Sequence, residues 1–336
     1  MRHRFAATGW VVVVLAACSG APAATDRASP PPQPSMPTEA PATPTTTEPS
    51  LDALELLWES AGDPMPTGRY PATYSPAVDP LTGDVWVSLA SDDVIWIFAP
   101  DGTFKDVFGR PGEGPGEFEF TRPACRNCPG AGALAFAPDG SLFVADVGNH
   151  RIQKFNAERE FETEWGEFGA GESQFADANQ IATNGRDVYV SDDVRLDTQV
   201  FDTDGRFLRT LPMGGWLDVD TDGRLLVSGG GVVATFDQDG HVGAATALPE
   251  YRGGWQIGLV VEGDGRLFFN YQNDATTNAI GLGELDPSTG RSRVWSTGGE
   301  TLAIASDVLF EANYVSSGWP EAVLRAYRLP EPQAAE

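Results

Sequence analysis

Cys125-Arg126-Asn127-Cys128 is the densest concentration of reactive side chains in the chain. Two thiols at this spacing can close a short loop as a disulfide, supply half of a zinc site, or cycle as a dithiol. Zinc needs two further soft ligands that the sequence does not offer. Haem attachment needs a histidine where Pro129 stands, and a redox dithiol wants a strand-to-helix setting that this loop-like stretch lacks. In an oxidising compartment the default is a disulfide between Cys125 and Cys128. Histidine is as scarce as cysteine: His3, His150 and His241 are all there is. His3 falls in a segment read below as removed, and two histidines cannot build a three-His metal centre. A Ser-His-acid triad would have to use one of them, and no G-x-S-x-G elbow is present, so no catalytic residue is assigned.

Hard oxygen ligands are more plentiful. Asp192, Asp193 and Asp197 can take Ca²⁺, although their spacing matches no EF-hand loop, and a divalent cation is the one cofactor the sequence entertains. Asp177, Asn179 and Gln180 add a second polar cluster, and Arg122, Asn149, Arg195 and Gln256 add donors and acceptors. Trp216, Tyr251, Trp255 and Trp319 supply aromatic faces. Together they suit a polar ligand such as a sugar or a peptide, provided the fold brings them to one face.

Self-similarity says which elements do so. TGDVWVSL at 82–89, DGSLFVAD at 139–146, NGRDVYVSD at 184–192, DGRLLVSG at 222–229 and DGRLFFNY at 264–271 are copies of one unit, and SDVLFEANY at 306–314 is a degenerate sixth. Their glycines at 83, 140, 185, 223 and 265 lie 57, 45, 38 and 42 residues apart, close to the ~40–45 residues of a four-stranded propeller blade. Within each copy apolar residues alternate or double over short runs, and a second turn recurs, as in FDTDG at 201–205 and FDQDG at 236–240. Short strands at this spacing, with no helical stretch, predict an all-β, six-bladed propeller of four-stranded blades.

Ser141 to Phe155, SLFVADVGNHRIQKF, resembles the heart of an NHL repeat, and GRPGEGPGEF at 109–118 resembles that family's inter-blade loop, with a weaker echo in GEFGAGESQF at 166–175. The resemblance implies a scaffold over 51–330, with 331–336 as a tail, and it assigns no activity. Asp146, Asn149 and Arg151 belong to the repeat's own signature, which implies that they tie loop to strand. Blade six offers only three strands before the chain ends, so ALELLWE at 53–59 is expected to supply its outermost strand and close the ring. The inter-blade and middle-strand loops would then share one face with the channel mouth, carrying the polar and aromatic candidates, while the Asp-Gly turns lie on the other.

The N-terminus gives an address. Arg2 and Arg4 precede an apolar run, WVVVVLAA at 10–17, too short for a permanent membrane span. Leu15-Ala16-Ala17-Cys18 resembles the lipobox of bacterial lipoproteins, which implies removal of 1–17, acylation of Cys18 and a lipid-anchored location outside the cytoplasm. Residues 18–50 are mostly Pro, Thr, Ala and Ser and read as an extended tether. With 48 acidic against 22 basic residues the net charge is −26; loss of Arg2 and Arg4 leaves 48 against 20, or −28. Such a surface repels nucleic acid. The sequence thus predicts a monomeric, membrane-anchored propeller that binds a peptide, glycan or protein through its loop face. The rival expectation is a metal-assisted hydrolase or lyase resembling the gluconolactonase-like propellers, with Asp177, Asn179, Asn270 and Glu311 as available donors.

Overall fold

A computed structural model of the chain describes residues 54–60, 73–90, 92–121, 132–248, 256–274, 279–297, 301–305, 307–312 and 324–329. They form six four-stranded antiparallel sheets, the blades of a propeller, and two short parallel ladders in the inter-blade loops. The innermost strands are Thr73–Val78, Leu134–Phe136, Ala178–Thr183, Trp216–Val219, Gln256–Val261 and Thr301–Ala305. Each touches the next, and the sixth touches the first, so they ring a central channel. Among the described residues no helix is long and apolar enough to cross a membrane.

The apolar runs explain the blades. The second strands of blades one and two, Val85–Leu89 and Leu142–Asp146, are buried along their whole length because a blade has a neighbour on both sides. Side chains alternate between those neighbours. Trp86 packs toward blade two with Ala135's neighbours Leu134 and Phe136, whereas Val85 and Val87 pack back against Phe310 and Ala326 of blade six. The same alternation gives one apolar cluster at every inter-blade seam, so the core is a ring of six seams around the channel.

Blade six is a composite. Glu55–Glu59 pairs antiparallel with Leu324–Arg328, setting Glu55 opposite Arg328 and Glu59 opposite Arg325. Arg328 Nε lies 2.8 Å from the Glu55 carboxylate, and Trp58 Nε1 donates to the Pro100 carbonyl of blade one at 2.8 Å. Trp58 lies flat on Gly102, whose φ is +83°; a Cβ there would meet the indole at 2.5 Å. Trp165, on the outermost strand of blade two, covers Gly205 of blade three in the same way, at φ +84°. Both glycines close an Asp-Gly turn and leave a flat seat for the preceding blade's tryptophan.

On that turn face the loops are self-sufficient. Asp202 Oδ1 accepts from the amides of Asp204 and Arg206, and Asp220 and Asp237 repeat the pattern. The second carboxylate oxygen of Asp202 and Asp220 then takes the Nε of the arginine four residues on.

Candidate functional site

The loop face is built by buried polar clamps. Asp146 ends the second strand of blade two, fully buried, and accepts the Glu119 amide on one oxygen. Its other oxygen accepts from Asn149, Arg151 and Gln153 at 2.8–3.0 Å. Burial pushes its carboxyl above the ordinary value, against the opposing pull of the Glu119 amide, Asn149 and Arg151. Arg151 spends its remaining donors on the carbonyls of Glu113, Gly114 and Glu117 and on Glu164. Asn149 donates to the Gly112 carbonyl. The inter-blade loop is thus pinned to the blade by side chains of the strand that follows it.

Blade three repeats the clamp with its charges exchanged. Asp192 takes the amides of Val194 and Arg195 on one oxygen and those of Ala176 and Asp177 on the other. The arginine has moved to Asn149's place as Arg195, and Asp197 stands where blade two has Arg151. Arg195 forms a two-pronged pair with Asp197 at 2.8–2.9 Å and donates to the Gly171 and Gln174 carbonyls. Gln199 matches Gln153 in both blades' linker contacts. Asp192, Asp193 and Asp197 therefore do not converge: among the described residues the only cluster of metal-ligating side chains is Asp237, Asp239 and His241, exposed on an Asp-Gly turn of the opposite face.

The other candidates divide between the loop face and the channel. Asp177 and Asn179 are buried at the start of blade three's inner strand; Asn179 Nδ2 donates to Asp193, and its Oδ1 has no hydrogen-bond partner. Asn270 and Glu311 are buried on second strands, opposite Gly258 and Leu302 of the inner ones. Glu311 accepts from Tyr327 Oη at 3.4 Å, and burial together with the Glu311 charge pushes that phenol up to about 12. Gln180 and Trp216 line the channel. Gln256 begins the inner strand of blade five. Cys18, Arg122, Cys125, Cys128, Tyr251, Trp255 and Trp319 lie outside the described residues.

Two features emerge that the sequence had not singled out. Phe168, Val194 and Leu196 stand 70%, 59% and 71% exposed on loops of blades two and three. His150 packs against Phe168 in a tilted arrangement with ring centroids 4.8 Å apart, and the Arg195–Gly171 bond holds the two loops together. Leu196 adopts φ +59°, a left-handed conformation that a branched residue resists. Exposed Glu167, Glu172 and Asp193 stand beside these residues in sequence.

The second is the channel cavity, about 540 Å³, lined from all six inner strands and reaching the turn residues Pro80, Pro138, Asn184 and Gly223. It therefore extends toward the Asp-Gly face, opposite the mouth where the sequence placed its candidates. Asp218 is in its wall, on blade four's inner strand, opposite Leu226. At the matching register blades one, two, three and five carry Ala77, Ala135, Ala182 and Val260. Asp218 accepts the Val261 amide of blade five at 2.7 Å and the Val219 amide at 2.8 Å. Burial, with a smaller contribution from the Asp220 charge, pushes its carboxyl up to about 7.

Residues 131–155 match the NHL repeat. The chain carries an NHL repeat. The matched stretch contains the Asp146-Asn149-Arg151-Gln153 clamp, so in this blade the matched residues fasten the linker. A 140-residue stretch is 33% identical to Protein brain tumor of Drosophila melanogaster, covering 38% of this chain and 12% of that protein. Among solved structures, a gluconolactonase from Xanthomonas campestris is 14% identical with a TM-score of 0.56, over 82% of this chain and 89% of its own. Virginiamycin B lyase from Staphylococcus aureus is 12% identical with a TM-score of 0.52, over 79% and 97%. These two likenesses are of fold alone, and the two proteins' names give different chemistries.

Proposed function

We propose that this NHL-repeat propeller is a lipid-anchored binding module, held outside the cytoplasm through Cys18 and the tether to residue 50, that engages a protein or peptide on its loop face. The observation that carries the reading is the exposure of Phe168, Val194 and Leu196 on a rigid frame. Asp192, Arg195 and Asp197 around them are engaged in internal clamps, so the face offers these apolar side chains with the exposed acids Glu167, Glu172 and Asp193 at their margin. That balance favours a peptide or protein over a glycan, and the acidic side chains nearby favour a partner with basic residues flanking an apolar anchor.

The test is a peptide array probed with the full chain. Peptides with an apolar centre and basic flanks bind, and Phe168→Asp or Leu196→Asp abolishes the binding; retention in both variants refutes the assignment. Cys18→Ser tests the anchor separately: membrane fractionation should find it released or unprocessed, and unchanged membrane retention removes the anchor from the reading.

A second reading, metal-assisted hydrolysis or lyase chemistry, is favoured by one observation. Asn179 carries a buried oxygen without a partner while its nitrogen donates to Asp193, and a free amide oxygen is a ligand that suits a hard cation. Calcium titration followed by a melting curve tests it: a stabilisation lost in Asn179→Ala supports a cation there, and none in the wild type rules it out.

A further inference from the structure

We propose that the central cavity is a binding site for a small organic ammonium ligand, with the Asp218 carboxylate as its counter-charge and Trp216 with the apolar part of the wall beside it as the seat of its carbon groups. This site is separate from the loop-face surface and does not depend on it.

Three observations carry the assignment. The first is charge. Two carboxylates line the cavity, Asp218 and Asp220. Asp220 is matched, because Arg224 Nε lies 2.7 Å from it and the amides of Asp222 and Arg224 fill its other oxygen. Asp218 has two backbone amides and no cation among the described residues. A carboxylate offers about four acceptor positions, so two amides leave capacity unused.

The second is the surroundings. Thr183 and Asn184, also in the wall, are spent on Asp187, Tyr189 and Gly223. Glu262, next to Val261, accepts the Asp264 amide and lies 3.7 Å from Arg266. Asp220 is thus the like charge that acts on Asp218, and none of these neighbours neutralises it. The rest of the wall is mixed: Gln180 and Thr221 are polar, and Ile181, Leu217, Val219, Leu259, Ile304 and the half-buried Trp216 are apolar. Trp216 stands two residues before Asp218, on the same side of the strand. An aromatic face beside a carboxylate is the chemistry that recognises a substituted ammonium. Calcium and magnesium want six or more oxygens, and among the described residues no cluster of metal-ligating side chains gathers here.

The third is fit. At about 540 Å³ the cavity falls within the range of small-molecule sites, roughly 300–1,000 Å³. The acid is also particular to one blade, since the matching positions on blades one, two, three and five carry alanine or valine. A packing role would be served by those residues; the acid adds the bond to the Val261 amide and a charge that no cation among the described residues matches.

Calorimetry of the purified full chain tests this with n-butylammonium and tetramethylammonium, and with 1-butanol as the neutral comparison. The ammonium ions should bind saturably at about pH 8 and the alcohol should not. Affinity should fall as pH drops through about 7, where a proton competes for Asp218. Near that pH, buffers of different ionisation enthalpy should report proton release on binding; ordinary surface carboxylates, already ionised, would release none. Asp218→Asn should weaken binding about tenfold or more. The proposal is overturned if the ammonium ions do not saturate, if butanol binds as well, or if Asp218→Asn leaves affinity unchanged. Should that variant fail to fold, absence of proton release in the wild type overturns it equally.

Discussion

Replacing Asp218 with asparagine should stabilise the propeller at high pH and not at low pH. In the folded chain the carboxyl titrates at about 7, against 3.8 for a free aspartate. The folded state therefore holds a proton that the unfolded chain has lost, so stability falls as pH rises between these midpoints. At about 1.36 kcal/mol per pH unit the full span corresponds to roughly 4 kcal/mol, complete above pH ~7 and absent below pH ~4. That figure is an upper bound, because part of the carboxyl faces channel water. The asparagine keeps an oxygen for the Val261 amide and removes the ionisation. Urea unfolding of both proteins from about pH 4 to pH 8 gives the difference directly, and titrations common to both cancel. The asparagine protein should gain on the wild type as pH rises, by about 2–4 kcal/mol at the alkaline end. Parallel stability curves would refute the buried-acid argument.

Other perturbations test other parts of the frame. Arg151→Met removes every bond that fastens the 112–117 loop through this side chain and leaves Asp146 buried without its cation; a loss of about 3–5 kcal/mol is expected in a melting curve, with amide exchange quickened first in that loop. A loss below ~1 kcal/mol would mean that the clamp is ornamental. Trp58→Ala should cost about 3 kcal/mol and release amide protection in 55–59 and 324–328 before the other blades; uniform loss across all blades would argue against a local closure. Leu196→Gly trades a strained left-handed leucine for a residue at ease there, so stability should stay within about 0.5 kcal/mol of wild type while peptide binding drops. A fall of more than ~1 kcal/mol would show that Leu196 serves packing instead.

The fold was legible because a blade repeats its physics. Val85, Leu142, Val188, Leu225 and Leu267 stand at or next to the start of equivalent strands after equivalent glycine turns, and strands buried on both faces need apolar runs. The loop-face residues were harder to weigh. Asp192 and Arg195 looked like surface polar groups because their partners are backbone amides and carbonyls, which no residue letter records. The exchange of Asn149 and Arg151 for Arg195 and Asp197 was visible in the two copies once they were set in register. Asp218 was not legible at all: in WLDV it reads as the outward acid of a half-buried strand. Only its place in the lining of the closed channel, and the alanines at the same register elsewhere, mark it as exceptional. Its perturbation comes from six strands enclosing it, a property of the closed ring and not of any segment.

The composite blade imposes an order of events on the chain. Glu55 meets Arg328 across 273 residues of sequence, so the first strand made is the last that can be placed. Five blades can condense from local hairpins, whereas the sixth must wait until residues 324–328 exist and can find it. Until then residues 55–59 are a strand without a sheet, and blade six presents a bare edge to any other strand that arrives first. Refolding should therefore show a slow final step that Trp58→Ala perturbs and Arg151→Met does not, and chains stopped short of residue 324 should associate through that edge.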